Sequence, residues 1–249
     1  MRFAGKRVLI TGAASGLGAM TAKAFAAEGA ELVLVDLNAE GLAQVAAATG
    51  GQALPGDVTE SKLAEQAACD PIDILFHAAG IDPHGAAGVP DTSPAMWDRV
   101  LAVNLTSAFL FARAVLPGMI ARRRGVLLFT ASVSGLSPTP CEAAYSVSKA
   151  GLIQLAKAIA LDAARDGVRA NAIAPGMLEA VMSDRRGAMD EMSLVARRKA
   201  AEAMIPLGRE GRYEEIARLA LAICDDEISG YVTGQVITAD GGYMLARSR

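Results

Sequence analysis

Short β-branched and aliphatic runs alternate with Ala-rich stretches of helical periodicity along the whole of this 249-residue chain. The runs are residues 7–11, 31–36, 72–77, 126–131, 168–173 and 235–238. The helical stretches are 18–28, 38–48, 60–68, 94–121, 143–165, 188–204 and 213–224. In the first of these, Met20, Ala24 and either Phe25 or Ala27 share a face. Such alternation predicts a parallel sheet covered by helices on both faces. The runs themselves barely alternate polar with apolar residues, as expected of strands buried on both sides. No linker, repeat or low-complexity tract interrupts the pattern, so one α/β domain spanning 1–249 is expected.

Composition narrows the class. With 52% hydrophobic and 20% charged residues and a mean hydropathy of +0.31, the chain is too apolar to be disordered. No uninterrupted apolar stretch of about 18 residues occurs, so no membrane span is expected. The richest segment, 100–121, is broken by Asn104, Thr106, Ser107, Arg113 and Pro117. A net charge of −3 gives no electrostatic reason to expect nucleic acid. Cys69, Cys141, Cys224, His77 and His84 make neither a disulfide framework nor a metal knuckle, so no metal is expected. Arg2, Lys6 and Arg7 precede a partly apolar run, but glycines interrupt it. The expectation is a cytoplasmic protein without a targeting segment.

The first strand runs into Thr11-Gly12-Ala13-Ala14-Ser15-Gly16-Leu17-Gly18 and then a helix. Three glycines at a strand-to-helix turn let the backbone approach a pyrophosphate, which free N–H groups and the helix dipole then attract. The second strand ends at Asp36, about 20 residues past the loop, the interval at which a carboxylate reaches an adenosine ribose. Asp36 there would accept hydrogen bonds from the ribose hydroxyls of NAD and repel the 2′-phosphate of NADP. Neither Ser15 nor Leu37 supplies a basic group to hold that phosphate. The competing reading of Asp36 is a strand-end residue capping the next turn. Asp57-Val58, after the third strand, is a candidate adenine contact.

Tyr145 and Lys149 stand four apart near the start of a long helical stretch, on one face. A phenol titrates near 10, too high for a base at neutral pH. An ammonium ~5–6 Å away, at an effective dielectric of ~20, is worth roughly 3 kcal/mol. That is about 2 pKa units toward the phenolate, with desolvation acting in the opposite direction. Ser132 follows the run 126–131, at the carboxyl end of a strand, where ligands of open α/β sheets bind. Asn104 interrupts an otherwise apolar helix, so its amide needs partners, whether at a helix kink or in a site.

Taken together and in this order, these motifs resemble the short-chain dehydrogenase/reductase family, of the 3-oxoacyl-[acyl-carrier-protein] reductase kind, over nearly the whole chain. The family's N-A-A-G-like turn is similar to His77-Ala78-Ala79-Gly80. Its P-G segment is similar to Asn171–Gly176, and its C-terminal strand to Thr233-Gly234-Gln235 and Asp240-Gly241-Gly242. The resemblance implies a Rossmann-like doubly wound sheet of about seven strands and an NAD-dependent dehydrogenase acting on a small alcohol or carbonyl substrate without metal. It implies Tyr145 as general acid/base, with Lys149 lowering its pKa and binding the nicotinamide ribose. Ser132 would orient the substrate oxygen, and Asn104 would hold a water. The implied cofactor site comprises Gly12, Ser15, Gly16, Leu17, Gly18, Asp36, Leu37, Asp57, Val58, Ala78, Ala79 and Gly80, completed by Tyr145, Lys149, Pro175 and Gly176.

Three positions depart from the family pattern. His77 replaces the Asn of the turn and is read as structural. Ala180 stands where a Thr often holds the carboxamide, with Ser183 as the possible substitute. The segment 60–71 is short for the third helix and its return. Residues 177–206 are expected to form the substrate lid, rich in methionine and carrying Arg185, Arg186, Arg197, Arg198 and Lys199, read as a solvated face. Arg122-Arg123-Arg124 is read as complementing a helix C-terminus rather than as a carrier-protein dock, and Cys141 as packing. In the family, the helices at 94–121 and 143–165 pair between subunits. The apolar excess therefore predicts a homotetramer.

Overall fold

The computed structural model describes residues 1–82, 88–179 and 191–246. In chain order it contains β1 (Arg7–Thr11), α1 (Gly16–Ala27), β2 (Glu31–Asp36), α2 (Ala39–Thr49), β3 (Gln52–Pro55), α3 (Ser61–Ala67) and β4 (Ile74–His77). Then come α4 (Pro94–Leu101), a π-helical turn (Ala102–Thr106), α5 (Ser107–Ala121), β5 (Gly125–Thr130), a 3₁₀ turn (Val133–Gly135) and α6 (Ala143–Ala163). The chain continues through β6 (Val168–Pro175), α7 (Glu191–Met204), α8 (Tyr213–Cys224), α9 (Asp226–Ser229), β7 (Val236–Ala239) and α10 (Tyr243–Ala246).

All seven strands pair in parallel in the order β3-β2-β1-β4-β5-β6-β7. Alternate residues of each strand face opposite sides. Leu9, Leu75, Leu127 and Ala170 pack against Phe111, Val115, Leu152 and Ala156. Val8, Ile10, Phe76 and Leu128 pack against Leu17, Phe25, Ile216 and Ala220. Two apolar layers on one sheet account for strands that lack polar alternation.

The strand order reverses between β1 and β4, whose last residues, Thr11 and His77, lie side by side. A crevice opens there at the carboxyl ends of the strands. Helix starts differ in how they are closed. Asn38 caps α2 through Gly41 N, and Ser93 caps α4 through Met96 N with Pro94 behind it. Ser15, at the start of α1, makes no such side-chain bond, so the N–H groups facing the crevice are not closed off by their own cap.

Boundaries shift by a few residues from those expected. β4 begins at Ile74, β6 runs on to Pro175, and β7 is displaced to Val236–Ala239. α3 has seven residues and β3 is an exposed edge, as the short segment 60–71 suggested. The run Pro94–Ala121 is long and apolar enough to cross a membrane by length and composition. In this fold it buries Asn104 and Ser107 against β4 and α6, which marks it as a core helix. The three arginines after α5 do not simply complement its end. Arg122 donates to Ile72 O, Arg123 donates to Arg165 O, and Arg124 pairs with Asp73, so they tie neighbouring strand entrances together. Cys141 is corrected from packing to an exposed residue in a left-handed conformation, φ 63°. His84, Ala180, Ser183, Arg185 and Arg186 lie outside the described residues, as does the Arg198 side chain.

Candidate active site

Close packing builds the phosphate-type loop. A Cβ on Gly18 would lie 2.1 Å from Gly12 O, so α1 begins in backbone contact with the end of β1. Thr11 Oγ1 accepts from Ala79 N at 3.2 Å and binds the turn after β4 to the loop. Between them opens a cleft of about 300 Å³. Its walls include Gly12, Ser15, Gly16, Leu17, Gly18, Asp36, Leu37, Asp57, Val58, Ala78, Ala79 and Gly80, all expected from the sequence. Asp36 is 8% exposed and makes the turn-capping contacts considered for it at the edge of the cleft. It lines the cleft, and its carboxylate accepts from Ala14 N at 3.0 Å and Asn38 N at 2.8 Å. Asp57 accepts from Thr59, which is the main reason its carboxyl is held below the usual range, and it also faces Arg99 at 3.4 Å.

Beyond Gly80 the cleft meets a buried polar cluster. A Cβ on Gly80 would lie 3.4 Å from both Asn104 Oδ1 and Lys149 Nζ. Lys149 is 4% exposed; its ammonium donates to Thr130 O at 2.7 Å and lies 5.5 Å from the Tyr145 ring centroid. Burial lowers its pKa to about 8, opposed by the negative charge of Asp82. Asn104 sits in the π turn, where an extra residue per turn re-aims side chains. Its amide accepts from Ile81 N at 2.7 Å and donates to Ile81 O at 2.9 Å and Ser148 Oγ at 3.0 Å. The Ser148 hydroxyl in turn donates to Tyr145 O at 2.7 Å, joining Asn104 to the start of α6.

Ser132 caps the 3₁₀ turn after β5 by accepting from Ser134 N. That turn rests on α6 through Gly135, whose Cβ would fall 2.7 Å from the Lys149 backbone. Asn104, Ser132, Tyr145 and Lys149 thus come from the π turn, the 3₁₀ turn and α6, all at one end of the sheet. Pro175 and Gly176 close β6; they lie outside the cleft wall, with Gly176 N bonded to Ala239 O. His77 is buried beneath the turn. Its Nε2 lies 3.0 Å from Ser107 Oγ, which donates to Val103 O at 2.5 Å. Ser107 spends its proton on that carbonyl, so His77 must be the donor through Nε2. Burial first, then the Lys149 charge, pushes its pKa down to about 3, which supports a structural role.

Residues 12–244 match the sequence profile of the family named Enoyl-(Acyl carrier protein) reductase. The chain is 37% identical to the 3-oxoacyl-[acyl-carrier-protein] reductase FabG of Thermotoga maritima, over 98% of this chain and 100% of that protein. It is also 37% identical to 2-keto-3-deoxy-L-fuconate dehydrogenase of Xanthomonas campestris, over 97% and 81% respectively. The structure superposes on a 3-oxoacyl-[acyl-carrier protein] reductase from Brucella melitensis with a TM-score of 0.87, 32% identity, and coverage of 98% and 93%. The chain belongs to the short-chain dehydrogenase/reductase family. It is an oxidoreductase.

In this short-chain dehydrogenase/reductase the cleft also contains side chains that sequence reasoning did not single out: Ile81, Arg99, Val103 and Tyr213. Arg99 and Val103 are four apart on the helix carrying Asn104, a spacing that could have flagged them. Tyr213 has no local signal, because it reaches the cleft only through the packing of α8 along α1. Ser148 lay inside the Tyr145–Lys149 motif, and its hydroxyl proves to be the link to Asn104. Of the basic residues expected on the lid, Arg197 is tied to Glu210 and to Leu178 O.

Proposed function

We propose that the enzyme moves a hydride between NAD(H) and a small secondary alcohol or ketone, with Tyr145 exchanging the proton. The observation that carries this reading is the buried Lys149 ammonium 5.5 Å from the Tyr145 ring. A cation at that range favours the phenolate and lets a phenol act near neutral pH. A nicotinamide dinucleotide, when bound, supplies the hydride donor or acceptor. The cleft suits one: the start of α1 lacks a side-chain cap, and Asp36 lines the same cleft as the glycine loop, about 20 residues on in sequence.

Tyr145 gives its proton to the carbonyl oxygen in reduction and takes it back in oxidation. Ser132 orients that oxygen. Lys149 keeps its charge next to the phenol and is held by Thr130 O. Asn104 acts as a positioning residue. Its amide is engaged by Ile81 and Ser148, and the second lone pair of its Oδ1 is where a water linked to Lys149 would be held. Residues 177–206 serve as the substrate lid of a single domain, in a cytoplasmic homotetramer.

The test is a panel of secondary alcohols, ketones and diketones assayed with NAD(H) and NADP(H), wild type beside Tyr145→Phe. Turnover preferring NAD(H), and abolished in the variant, is expected. Equal turnover in both proteins would refute the proton role, and preference for NADP(H) would refute the role of Asp36. A second reading, reduction of a 3-oxoacyl thioester, is favoured by the relative of that name at 37% identity. Asp36 counts against it where NADPH would be used. Dinucleotide binding without turnover on any substrate would instead favour a cofactor-sensing regulator.

A further inference from the structure

We propose that Tyr213 contacts the cofactor, its phenolic hydroxyl donating a hydrogen bond to the pyrophosphate held at the Thr11–Gly18 loop. The inference rests on the dinucleotide reading above and adds a residue that no loop motif contains. Tyr213 is the first residue of α8, and α8 packs along α1. The far end of its ring reaches the loop: Cζ and the hydroxyl lie 3.7 Å from the position a Cβ would take on Gly16, the first residue of α1. The ring lines the cleft and packs on the apolar layer that contains Leu17 and Ile216.

Its position is firmly set. Glu215 accepts from Arg212 N at 2.9 Å, which closes the first turn of α8, and Arg209 clamps the same carboxylate at 2.7 and 2.8 Å. Ring packing on one side and this closed turn on the other hold the phenol against the loop.

The charge distribution in the cleft says what the hydroxyl would meet. The charged walls are Asp36, Asp57 and Arg99, and Arg99 is drawn to Asp57 at 3.4 Å. Around Gly12, Ser15, Gly16, Leu17 and Gly18 the described wall carries no cation. A pyrophosphate there has two negative charges to satisfy and relies on backbone N–H groups and neutral donors. A phenolic O–H at the edge of that loop is such a donor.

Binding of NADH, followed by its fluorescence, and its displacement by ADP-ribose and by adenosine test this in wild type and Tyr213→Phe. The phenylalanine keeps the ring and its packing and removes only the hydroxyl. NADH and ADP-ribose are expected to bind about tenfold more weakly to the variant, as for one lost hydrogen bond to a charged group, with adenosine unchanged. Unchanged NADH affinity in the variant overturns the inference while leaving the dinucleotide reading intact. An equal loss for adenosine also overturns it, since the ring would then merely support the cleft. Wild-type protein that binds no dinucleotide removes the reading and the inference together.

Discussion

Lys149 keeps a charge where burial disfavours it, with a carbonyl 2.7 Å away and Asp82 as the opposing charge. Its pKa of about 8 should set an alkaline limit on ketone reduction, because above it the ammonium beside Tyr145 is lost. Asp82→Asn removes the charge that raises this value, so the limb should move to lower pH. A kcat/KM profile of the free enzyme reads the shift. His77 has the opposite consequence, for stability. Unfolded, it takes a proton below about 6.5; folded, it stays neutral down to about 3. Its contribution is therefore lost progressively as pH falls through that window. His77→Asn should lose less unfolding free energy between pH 7 and pH 5 than wild type, measured by urea denaturation. At this scale the sequence was most legible where chemistry is local. The 145–149 spacing, the glycine loop and Asp36 all identified residues that the cleft and its polar cluster contain. Tyr213 was not legible, because what brings it to the cleft is the packing of α8 along α1.

Among the elements, the stretch 94–121 was evident from its periodicity, but its π turn was not. One extra residue in five hardly alters an apolar pattern, yet it changes the hydrogen bonding. Ser107 N bonds Ala102 O, and the Val103 carbonyl is met by the Ser107 hydroxyl instead. Ser107→Ala removes that bond and leaves His77 Nε2 buried without its partner. A loss of about 1–3 kcal/mol in unfolding free energy is expected. A larger drop in turnover than in NADH affinity should accompany it, since the turn aims Asn104. β6 was read as the apolar run 168–173. Here Pro175 is the last paired residue, opposite Ala239, so the ladder continues up to it.

For the whole molecule, the apolar excess divides in two. The sheet accounts for much of it, being covered on both faces by apolar layers. The remainder includes Phe109 and Ile120 on α5 and Val147 and Leu161 on α6, all exposed in the single chain. These faces suit pairing between copies, and the joint variant Phe109→Glu, Leu161→Glu should sediment as a smaller species than wild type. A wild-type mass of one subunit at micromolar concentration would refute the assembly. The strand order carries one more consequence. Because β4 returns to lie beside β1, the cleft joins the loop at residues 12–18 to Ala78, Ala79, Gly80, Arg99, Val103 and Tyr213. Its walls therefore come from segments far apart in the chain. A nascent or truncated chain that ends before residue 213 would bear the whole glycine loop and still lack a wall of the cofactor cleft.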